Sequence, residues 1–168
     1  MLLRTVYLSL GSNIGNREEQ IRQAVAALVS ENIGVQIRSS LYETEPQDVV
    51  DQPWFLNAVL CCEASSFPIQ LLQILQRIER DLGRVRAGRI RRGPRAIDID
   101  ILLYGNTIME TPRLTIPHPR MLQRRFVLEP IVEIAPDLRH PQTRHLLRNY
   151  LSEVSEQKIR KWSPKPGG

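Results

Sequence analysis

The chain has 168 residues, a length that fits a single domain whose hydrophobic core needs no disulfide or structural metal. Its formal net charge is +5 and most of its 23 basic residues are arginines, which favours a phosphate-rich partner, either a nucleotide or a nucleic acid. No apolar run approaches the ~20 residues of a membrane span and no signal-peptide pattern follows Met1, so we expect a cytoplasmic protein that binds no membrane. The adjacent Cys61 and Cys62 point to opposite faces of a predicted strand, and we interpret both as reduced core thiols.

Up to Gly105, strand patterns alternate with helix patterns. The predicted elements are a strand at 6–10, a helix at 17–30 with Asn16 as its N-cap, strands at 35–42 and 55–63, a helix that follows Ser66 as its N-cap and ends at Gly83, and a strand at 96–104. This βαββαβ order is typical of the ferredoxin-like α+β fold, in which an antiparallel sheet carries two helices on one face. We expect the other face to be free for a ligand.

Beyond Gly105, prolines interrupt the pattern. They allow only short helices, such as one at 127–134. The stretch 146–159 predicts a final amphipathic helix, so that a C-terminal helical extension follows the sheet. We therefore predict one domain over residues 1–162 and a flexible tail over 163–168.

Two carboxylates lie two residues apart in the apolar strand at 96–104. Asp98 and Asp100 share one face, roughly 6.6 Å apart along the strand, and the neighbouring isoleucines face the other way. Adjacent negative charges repel unless a cation lies between them, and ligands that are all oxygens favour Mg²⁺ or Mn²⁺ over zinc. We interpret the pair as ligands of one or two divalent ions; the alternative is an edge strand with one solvated face.

An arginine-rich loop precedes this strand. It runs from Gly83 to Gly93 and contains Gly88 and five arginines, and Arg95 follows at the start of the strand. Glycines beside guanidinium groups are typical of a lid that closes over phosphates and excludes water. The loop is flanked by polar residues on both sides. Gln76 and Glu79, one helical turn apart, precede it, and the two aspartates follow it, which favours this interpretation over a solvated basic loop.

Two further groups indicate a ligand with a flat ring and an anionic part. Phe55 and Asn57 share one face of the strand at 55–63, where the ring can stack on a heterocycle and the carboxamide can match its polar edge. His118 lies between Pro117 and Pro119, which restrict its backbone, and several arginines follow in the sequence. The alternatives are an ordinary core position for Phe55 and a structural role for His118.

Several motifs together resemble one enzyme family. The segment Gly93-Pro94-Arg95-Ala96-Ile97-Asp98-Ile99-Asp100 resembles the signature of the 6-hydroxymethyl-7,8-dihydropterin pyrophosphokinases of folate biosynthesis. Further motifs follow in the family's order, at 10–13, 42–46, 51–57, 83–86, 114–119 and 134–138. The resemblance implies a ferredoxin-like enzyme that transfers the terminal pyrophosphoryl group of ATP to the hydroxymethyl oxygen of a reduced pterin and releases AMP.

The resemblance also implies roles for individual residues. Asp98 and Asp100 would hold two Mg²⁺ ions along the triphosphate, and the catalytic residues would be Arg84, Arg95 and Asp98, with the two arginines stabilising the transferred group. The residues implied for ATP binding are Gln76, Glu79, Arg86, Arg113, Thr115, His118 and Arg124. The pterin would lie between Phe55 and Phe126, with Thr44 and Asn57 at its edge.

The chain departs from the family pattern in three places. Ala87 stands where a basic residue is frequent, and Arg92 stands where an aromatic residue is common. The loop at 47–50 lacks a glycine that is often found there. The first two differences concern the predicted lid and its contact over the pterin, and the third concerns the flexibility of the loop at 47–50.

An alternative function is a single-stranded RNA-binding module, because such modules share the βαββαβ order and a high isoelectric point. They display aromatic residues on their central strands, whereas this chain places Asp98 and Asp100 there, where they would repel a phosphodiester backbone. We therefore expect ATP and a reduced pterin as partners, no nucleic acid, and a monomer.

Overall fold

An antiparallel sheet forms the centre of the computed structural model, which describes residues 2–83 and 96–164. Within these residues the sheet contains β1 (Arg4–Ser12), β2 (Gly34–Arg38), β3 (Tyr42–Thr44), β4 (Phe55–Ala64), β5 (Asp98–Tyr104) and β8 (Ile159–Lys161). The short strands β6 (Met109–Glu110) and β7 (Thr115–Ile116) pair with each other. The helices are α1 (Arg17–Ser30), α2 (Pro68–Gly83) and α3 (Arg125–Ile134), with 3₁₀ helices at Met121–Gln123 and Leu147–Val154.

The strand order confirms the predicted fold class. The sheet runs β5-β1-β4-β3-β8, and β2 also pairs with β4. Every pairing in it is antiparallel. The four strands of the βαββαβ unit, counted with β2, therefore lie in the order β5-β1-β4-β2, which is the ferredoxin-like arrangement.

The strand predicted at 35–42 is in fact two strands, and this prediction was wrong. Its pairing with β4 ends at Arg38, opposite Leu60, and resumes at Tyr42, opposite Asn57, so one extra residue is accommodated in between. Ser39 fixes this bend, because its backbone N–H donates to the Val59 carbonyl at 2.9 Å and its hydroxyl accepts from the Val59 N–H at 2.9 Å. The hydrophobic pattern could not show this side-chain substitute for a ladder bond.

The predicted amphipathic helix at 146–159 was also wrong in type and length. Its buried positions, Leu147 and Val154, belong to a 3₁₀ helix, and the chain then forms strand β8 along the free edge of β3. The Lys158 N–H donates to the Glu45 carboxylate at 2.9 Å, and the Glu45 N–H donates to the Lys158 carbonyl at 3.2 Å. The unpaired edge of β3 therefore determines the structure of this segment, which local periodicity does not reveal.

The two main helices begin differently from one another. Asn16 caps α1 as predicted, since its side chain accepts from the Glu19 N–H at 3.2 Å. Ser66 is not the cap of α2: the Phe67 carbonyl accepts from Leu71, and the Gln70 side chain accepts from the Phe67 N–H. None of the helices among the described residues combines the length and the apolar character that crossing a bilayer requires.

Both faces of the sheet are covered over part of their area, which corrects the expectation of a free second face. On one face α1 and α2 pack against the sheet around Leu8, Leu60 and Leu71. On the other face α3 and the 3₁₀ helix Leu147–Val154 pack over Val59, and Leu128 is fully buried there. The second layer covers only part of its face, and a cavity lies beside it. Cys61 and Cys62 are buried free thiols, as predicted.

Because both layers share the central strands, we predict that they unfold in one transition. Leu71→Ala and Leu128→Ala each remove a fully buried side chain, one from each layer, and each should lower the free energy of unfolding by about 2 to 5 kcal/mol. Denaturant unfolding followed by far-ultraviolet circular dichroism and by tryptophan fluorescence measures this. Val29→Ala, at an exposed position of α1, is the control. Two separate transitions in either variant would contradict a single domain.

Candidate functional site

A cavity of about 440 Å³ lies on the second face of the sheet, at the end where β1 finishes and β4 and β5 begin. Gly11 on β1 is opposite Asn57 on β4 and opposite Asp98 on β5. Ser9, two residues earlier, is opposite Asp100. Because side chains alternate along strands, these positions all face the same side. The sheet therefore places a carboxamide and two carboxylates in neighbouring rows on one surface.

The cavity brings together eight of the predicted site residues. They are Thr44, Phe55, Asn57, Asp98, Asp100, His118, Arg124 and Phe126. Gln76, Glu79, Arg113 and Thr115 do not line it, and Arg84, Arg86 and Arg95 lie outside the described residues. The other lining residues were not predicted: Ser9, Gly11, Glu45, Gln47, Asp48, Gln52 and Arg120.

The two aspartates lie half-buried on the cavity side of β5, as their spacing predicted. Between them, the Ile99 side chain is buried in the opposite core, and the Ile99 N–H donates to the Glu79 carboxylate at 2.9 Å. Among the described residues β5 lies at the edge of the sheet, where an N–H that points away from β1 needs an acceptor from outside the ladder, and here a side chain of α2 accepts from it. Glu79 thus supports the strand that carries Asp98 and Asp100.

A buried polar pair forms the opposite end of the cavity. The Asn57 amide nitrogen donates to the Thr44 hydroxyl oxygen at 2.6 Å, and both residues are at least 97% buried. Phe55 lies two residues before Asn57 on β4, on the same face of the sheet, and is directly opposite Thr44 in the ladder. The Thr44 hydroxyl hydrogen and the Asn57 carbonyl oxygen provide one donor and one acceptor in a fixed arrangement, which suits the edge of a planar heterocycle.

Gly11 is what allows this pair to sit so close to β1. A Cβ at this position would lie 2.6 Å from the Asn57 Oδ1 and 3.6 Å from the Phe55 ring. The first distance is far shorter than any carbon–oxygen contact, so a side chain would displace the amide. The motif at 10–13 contains this glycine, but its sequence alone did not show that it makes room for Asn57.

His118 is held in a neutral form at the other side of the cavity. Its backbone N–H donates to the Leu102 carbonyl at 2.9 Å, and its Nδ1 accepts from the Arg120 N–H at 3.1 Å. Burial, together with the positive charges of Arg124 and Arg120, lowers the pKa of the imidazole to about 4, and burial is the largest of these causes. With Nδ1 used as an acceptor, the neutral ring carries its proton on Nε2 and can donate a hydrogen bond to an anion.

Arg124 and Arg120 line the cavity on the same side as His118. The Arg124 guanidinium carbon lies 5.3 Å from the centre of the Phe126 ring, within the range of a cation–π contact. Arg120 forms an ion pair with Asp48 at 3.5 Å, which connects this wall to the loop between β3 and β4. Because both ions are more than one third exposed, the pair is weakly stabilising and can separate when a ligand enters.

Asn13 anchors the loop between β3 and β4, a role that no local sequence pattern indicated. It is 2% exposed, and its amide donates to the Gln52 side chain at 2.8 Å and to the Pro53 carbonyl at 3.0 Å. Gln52 in turn donates to the Val49 carbonyl at 2.6 Å. Only the fold brings Asn13 to residues that are about 40 positions later in the chain.

Comparison with known proteins agrees with the site. Residues 7–136 match the family described as 7,8-dihydro-6-hydroxymethylpterin-pyrophosphokinase (HPPK). The chain belongs to this family. The family that the motifs predicted is thereby confirmed, and the matched residues include every described residue that lines the cavity.

Bacterial and fungal relatives match over most of this chain. The 2-amino-4-hydroxy-6-hydroxymethyldihydropteridine pyrophosphokinase of Bacillus subtilis is 42% identical over 163 residues, which are 96% of this chain and 92% of the relative. The enzyme of the same name from Haemophilus influenzae is 41% identical, covering 95% of this chain and 99% of its own length. The Folic acid synthesis protein fol1 of Pneumocystis carinii is 45% identical over 92% of this chain, but this chain spans only 21% of that protein.

Solved structures share the fold. A crystal structure of an HPPK-DHPS protein in complex with substrates superposes with a TM-score of 0.70 over 93% of this chain and 44% of its own length, at 16% identity. The Plasmodium falciparum HPPK-DHPS with pteroate gives a TM-score of 0.71 over 90% of this chain and 42% of its own length, also at 16% identity. At this level of identity the comparison supports the fold and not the function.

We predict that His118 remains neutral through the physiological pH range. With its folded pKa near 4 and its ordinary value of 6.5, the unfolded chain binds the proton first, so this group destabilises the folded state as pH falls from 6.5 towards 4. Proton NMR of the imidazole Cε1–H from pH 3.5 to 8 should show no titration above about pH 5.5, and Arg124→Met should raise the pKa by removing a nearby cation. Titration of the wild-type His118 ring near pH 6.5 would contradict the prediction that the imidazole is neutral at physiological pH.

Proposed function

We propose that this chain transfers the terminal pyrophosphoryl group of ATP to the hydroxymethyl oxygen of 6-hydroxymethyl-7,8-dihydropterin and releases AMP. One observation carries the proposal: a single cavity, which Phe126 also lines, has a donor–acceptor pair and the Phe55 ring at one end and two carboxylates at the other. The first end suits a flat heterocycle and the second suits a metal-bound polyphosphate. The relatives of Bacillus subtilis and Haemophilus influenzae, whose names state a pyrophosphokinase of this pterin, support the same reaction.

The pterin is proposed to bind beside Thr44 and Asn57. Both side chains are buried and hydrogen-bonded to each other, so they do not rearrange freely and present one fixed polar edge. Phe55 and Phe126 line the same cavity and supply rings for stacking on the planar ligand. Discrimination between pterins would depend on this edge, because a ligand that lacks the matching groups leaves buried polar atoms unpaired.

The residues present fit Mg²⁺ held together with a nucleotide. Among the described residues, no group of three His, Cys, Asp or Glu side chains forms a metal site provided by the protein alone. Mg²⁺ is usually bound by one or two carboxylates together with water and substrate phosphates, so Asp98 and Asp100 suffice for two ions when ATP supplies the other oxygens. Such ions, when bound, neutralise the polyphosphate charge and draw electron density from the attacked phosphorus.

The protein's own part in the reaction is to position the two substrates and balance their charge. The pterin hydroxyl oxygen forms a bond to the β-phosphorus of ATP, the bond from that phosphorus to the AMP oxygen breaks, and the hydroxyl proton is lost. The transferred group spreads negative charge over its oxygens. Arg124 and the neutral imidazole of His118 face this region and can donate hydrogen bonds to phosphate oxygens. Asp98 would serve as a catalytic residue by holding a metal ion at the reacting phosphate.

Other roles rest on the family resemblance. Arg84 and Arg95 are proposed to stabilise the transferred group, and Arg86 to contact the phosphates. Gln76, Glu79, Arg113 and Thr115 are proposed to bind the nucleotide. We also propose that the protein works in the cytoplasm as a monomer, with no nucleic acid or membrane as a partner. The two buried free thiols suit a reducing compartment.

The reaction is tested by measuring AMP release from ATP in the presence and absence of hydroxymethyldihydropterin and of Mg²⁺. We expect AMP only when all three are present. Asp98→Asn and Asp100→Asn keep the side-chain size but remove the charge, and each should lower turnover by roughly a hundredfold or more, or about 3 kcal/mol of transition-state stabilisation. Asp137→Asn, which changes an exposed carboxylate paired with Arg148 far along the chain, is the matched control. Normal turnover of both cavity variants at low Mg²⁺ would overturn the metal assignment.

The ring assignment is tested by calorimetric titration. Phe55→Ala and Phe126→Ala should each weaken pterin binding by about 1 to 3 kcal/mol, by analogy with stacking of bases on aromatic side chains, and should leave the affinity for a non-hydrolysable ATP analogue nearly unchanged. Phe67→Ala removes an exposed ring at the other end of β4 and serves as the control. Equal losses for both ligands would instead indicate that the rings belong to the core.

A further inference from the structure

Arg17, at the start of α1, joins two strands that carry cavity residues, although it does not line the cavity itself. One terminal nitrogen of its guanidinium donates to the Trp54 carbonyl at 2.9 Å, and the other donates to the Glu43 carboxylate at 2.7 Å. Its side chain is 19% exposed and that of Glu43 is 10% exposed. A single planar group therefore holds two segments that are distant from it in sequence.

The two segments lead directly into the residues proposed to recognise the pterin. Glu43 precedes Thr44 on β3, and Trp54 precedes Phe55 on β4, and Thr44 and Phe55 are partners in the ladder. Because successive side chains on a strand face opposite sides, Glu43 points away from the cavity while Thr44 points into it. A bond to the Trp54 carbonyl fixes the plane of the peptide that connects Trp54 to Phe55. Arg17 thus restrains the backbone next to Thr44 and Phe55 through contacts that lie outside the cavity.

The surroundings of Arg17 make this restraint stiff. Its guanidinium carbon lies 5.0 Å from the centre of the Trp162 ring, and the Trp162 N–H of the backbone donates to the Leu41 carbonyl at 2.8 Å. Burial alone would raise the pKa of Glu43, but hydrogen bonds from Arg160 and Arg17 outweigh it and hold the pKa below its ordinary value. The carboxylate therefore stays charged at neutral pH and keeps Arg17 in place.

We propose that Arg17 is a positioning residue for pterin recognition, which acts by fixing the Trp54–Phe55 peptide and the Glu43–Thr44 segment relative to each other. The inference rests on the function proposed above, because it assumes that Thr44, Asn57 and Phe55 bind the pterin. It adds a specific expectation: the effect of Arg17 falls on the pterin end of the cavity and not on the nucleotide end, which is formed by β5 and the His118 segment.

Arg160 provides a comparison within the same cluster. It also donates to Glu43, at 2.8 Å from its Nε, and its guanidinium carbon lies 5.4 Å from the centre of the Trp54 ring. Both arginines therefore share one carboxylate and each stacks on a tryptophan. Only Arg17 has a hydrogen bond to the Trp54 carbonyl among the contacts of the described residues. A difference between variants of the two arginines isolates the contribution of that carbonyl bond.

The experiment measures pterin and nucleotide binding separately in four variants. They are Arg17→Met, Arg17→Lys, Arg160→Met and Arg22→Met, the last replacing an exposed arginine of the same helix that pairs only with Glu19 in the described structure. The Kd of hydroxymethyldihydropterin is determined by calorimetry in the presence of Mg²⁺ and a non-hydrolysable ATP analogue, and the Kd of the analogue is determined alone. Steady-state AMP release gives KM for the pterin and kcat, and thermal unfolding gives Tm.

We expect Arg17→Met to raise the Kd and KM of the pterin by roughly tenfold, since a small displacement of recognition groups is costly, while kcat and the Kd of the analogue change by less than about twofold. Arg17→Lys keeps the charge but cannot reach both partners with a planar fork, so it should restore part of the affinity. Arg160→Met should raise the Kd of the pterin by less than about threefold, and Arg22→Met should leave it unchanged.

Three results would overturn the inference. They are an unchanged Kd of the pterin in Arg17→Met, equal losses for pterin and nucleotide, and an effect of Arg160→Met as large as that of Arg17→Met. If Arg17→Met does not fold, wild-type pterin affinity in Arg17→Lys overturns it as well. A wild-type protein that releases no AMP would instead refute the proposed function, and with it this inference, so the two failures are distinguished by the wild-type assay.

Discussion

The register of β1 with its two neighbours, β4 and β5, is the constraint on which the cavity depends. It places Asn57, Gly11 and Asp98 in one row across the sheet, with the Asn57 carboxamide on one side of Gly11 and the Asp98 carboxylate on the other. A shift of one residue in either ladder would turn side chains of the shifted strand towards α1 and α2 on the opposite face, because the side-chain period of a strand is two. The absence of a Cβ at Gly11 allows the Asn57 amide to lie over the central strand. The spacing between the two proposed substrates is therefore set by backbone pairing.

The chain after Gly105 completes the cavity, although it has no regular pattern of strands and helices. The 3₁₀ helix at Met121–Gln123 and α3 frame one wall, to which Arg124 and Phe126 contribute. β8 pairs with β3 and closes the edge of the sheet next to Thr44. These segments cover part of the second face with apolar side chains, and the cavity lies beside them. The same strands thus serve the core at one end and the site at the other.

The charge of the groups in the cavity depends on their burial as well as on their residue type. The net charge of the whole chain is +5, which by itself would attract phosphate without metal ions. The cavity on the second face of the sheet nevertheless contains two aspartates, Asp98 and Asp100. His118 adds no positive charge, because burial and two neighbouring arginines keep its imidazole neutral. This arrangement supports the proposed binding of a polyphosphate together with metal ions, since the carboxylates would repel the same anion without them.

Local sequence was sufficient for several features of this protein. Alternation within β5 put Asp98 and Asp100 on one face and the helical spacing gave α1 and α2, because each of these depends on residues close together in the chain. The motifs identified the family because each is a short run of residues, although together they extend from residue 10 to residue 138. It failed where distant groups decide the structure. The bend at Ser39 depends on a partner in β4, and β8 forms only because β3 offers an unpaired edge. The roles of Gly11 and Arg17 likewise became apparent only in the folded chain, since the residues they touch lie more than 25 positions away and no local pattern records such a contact.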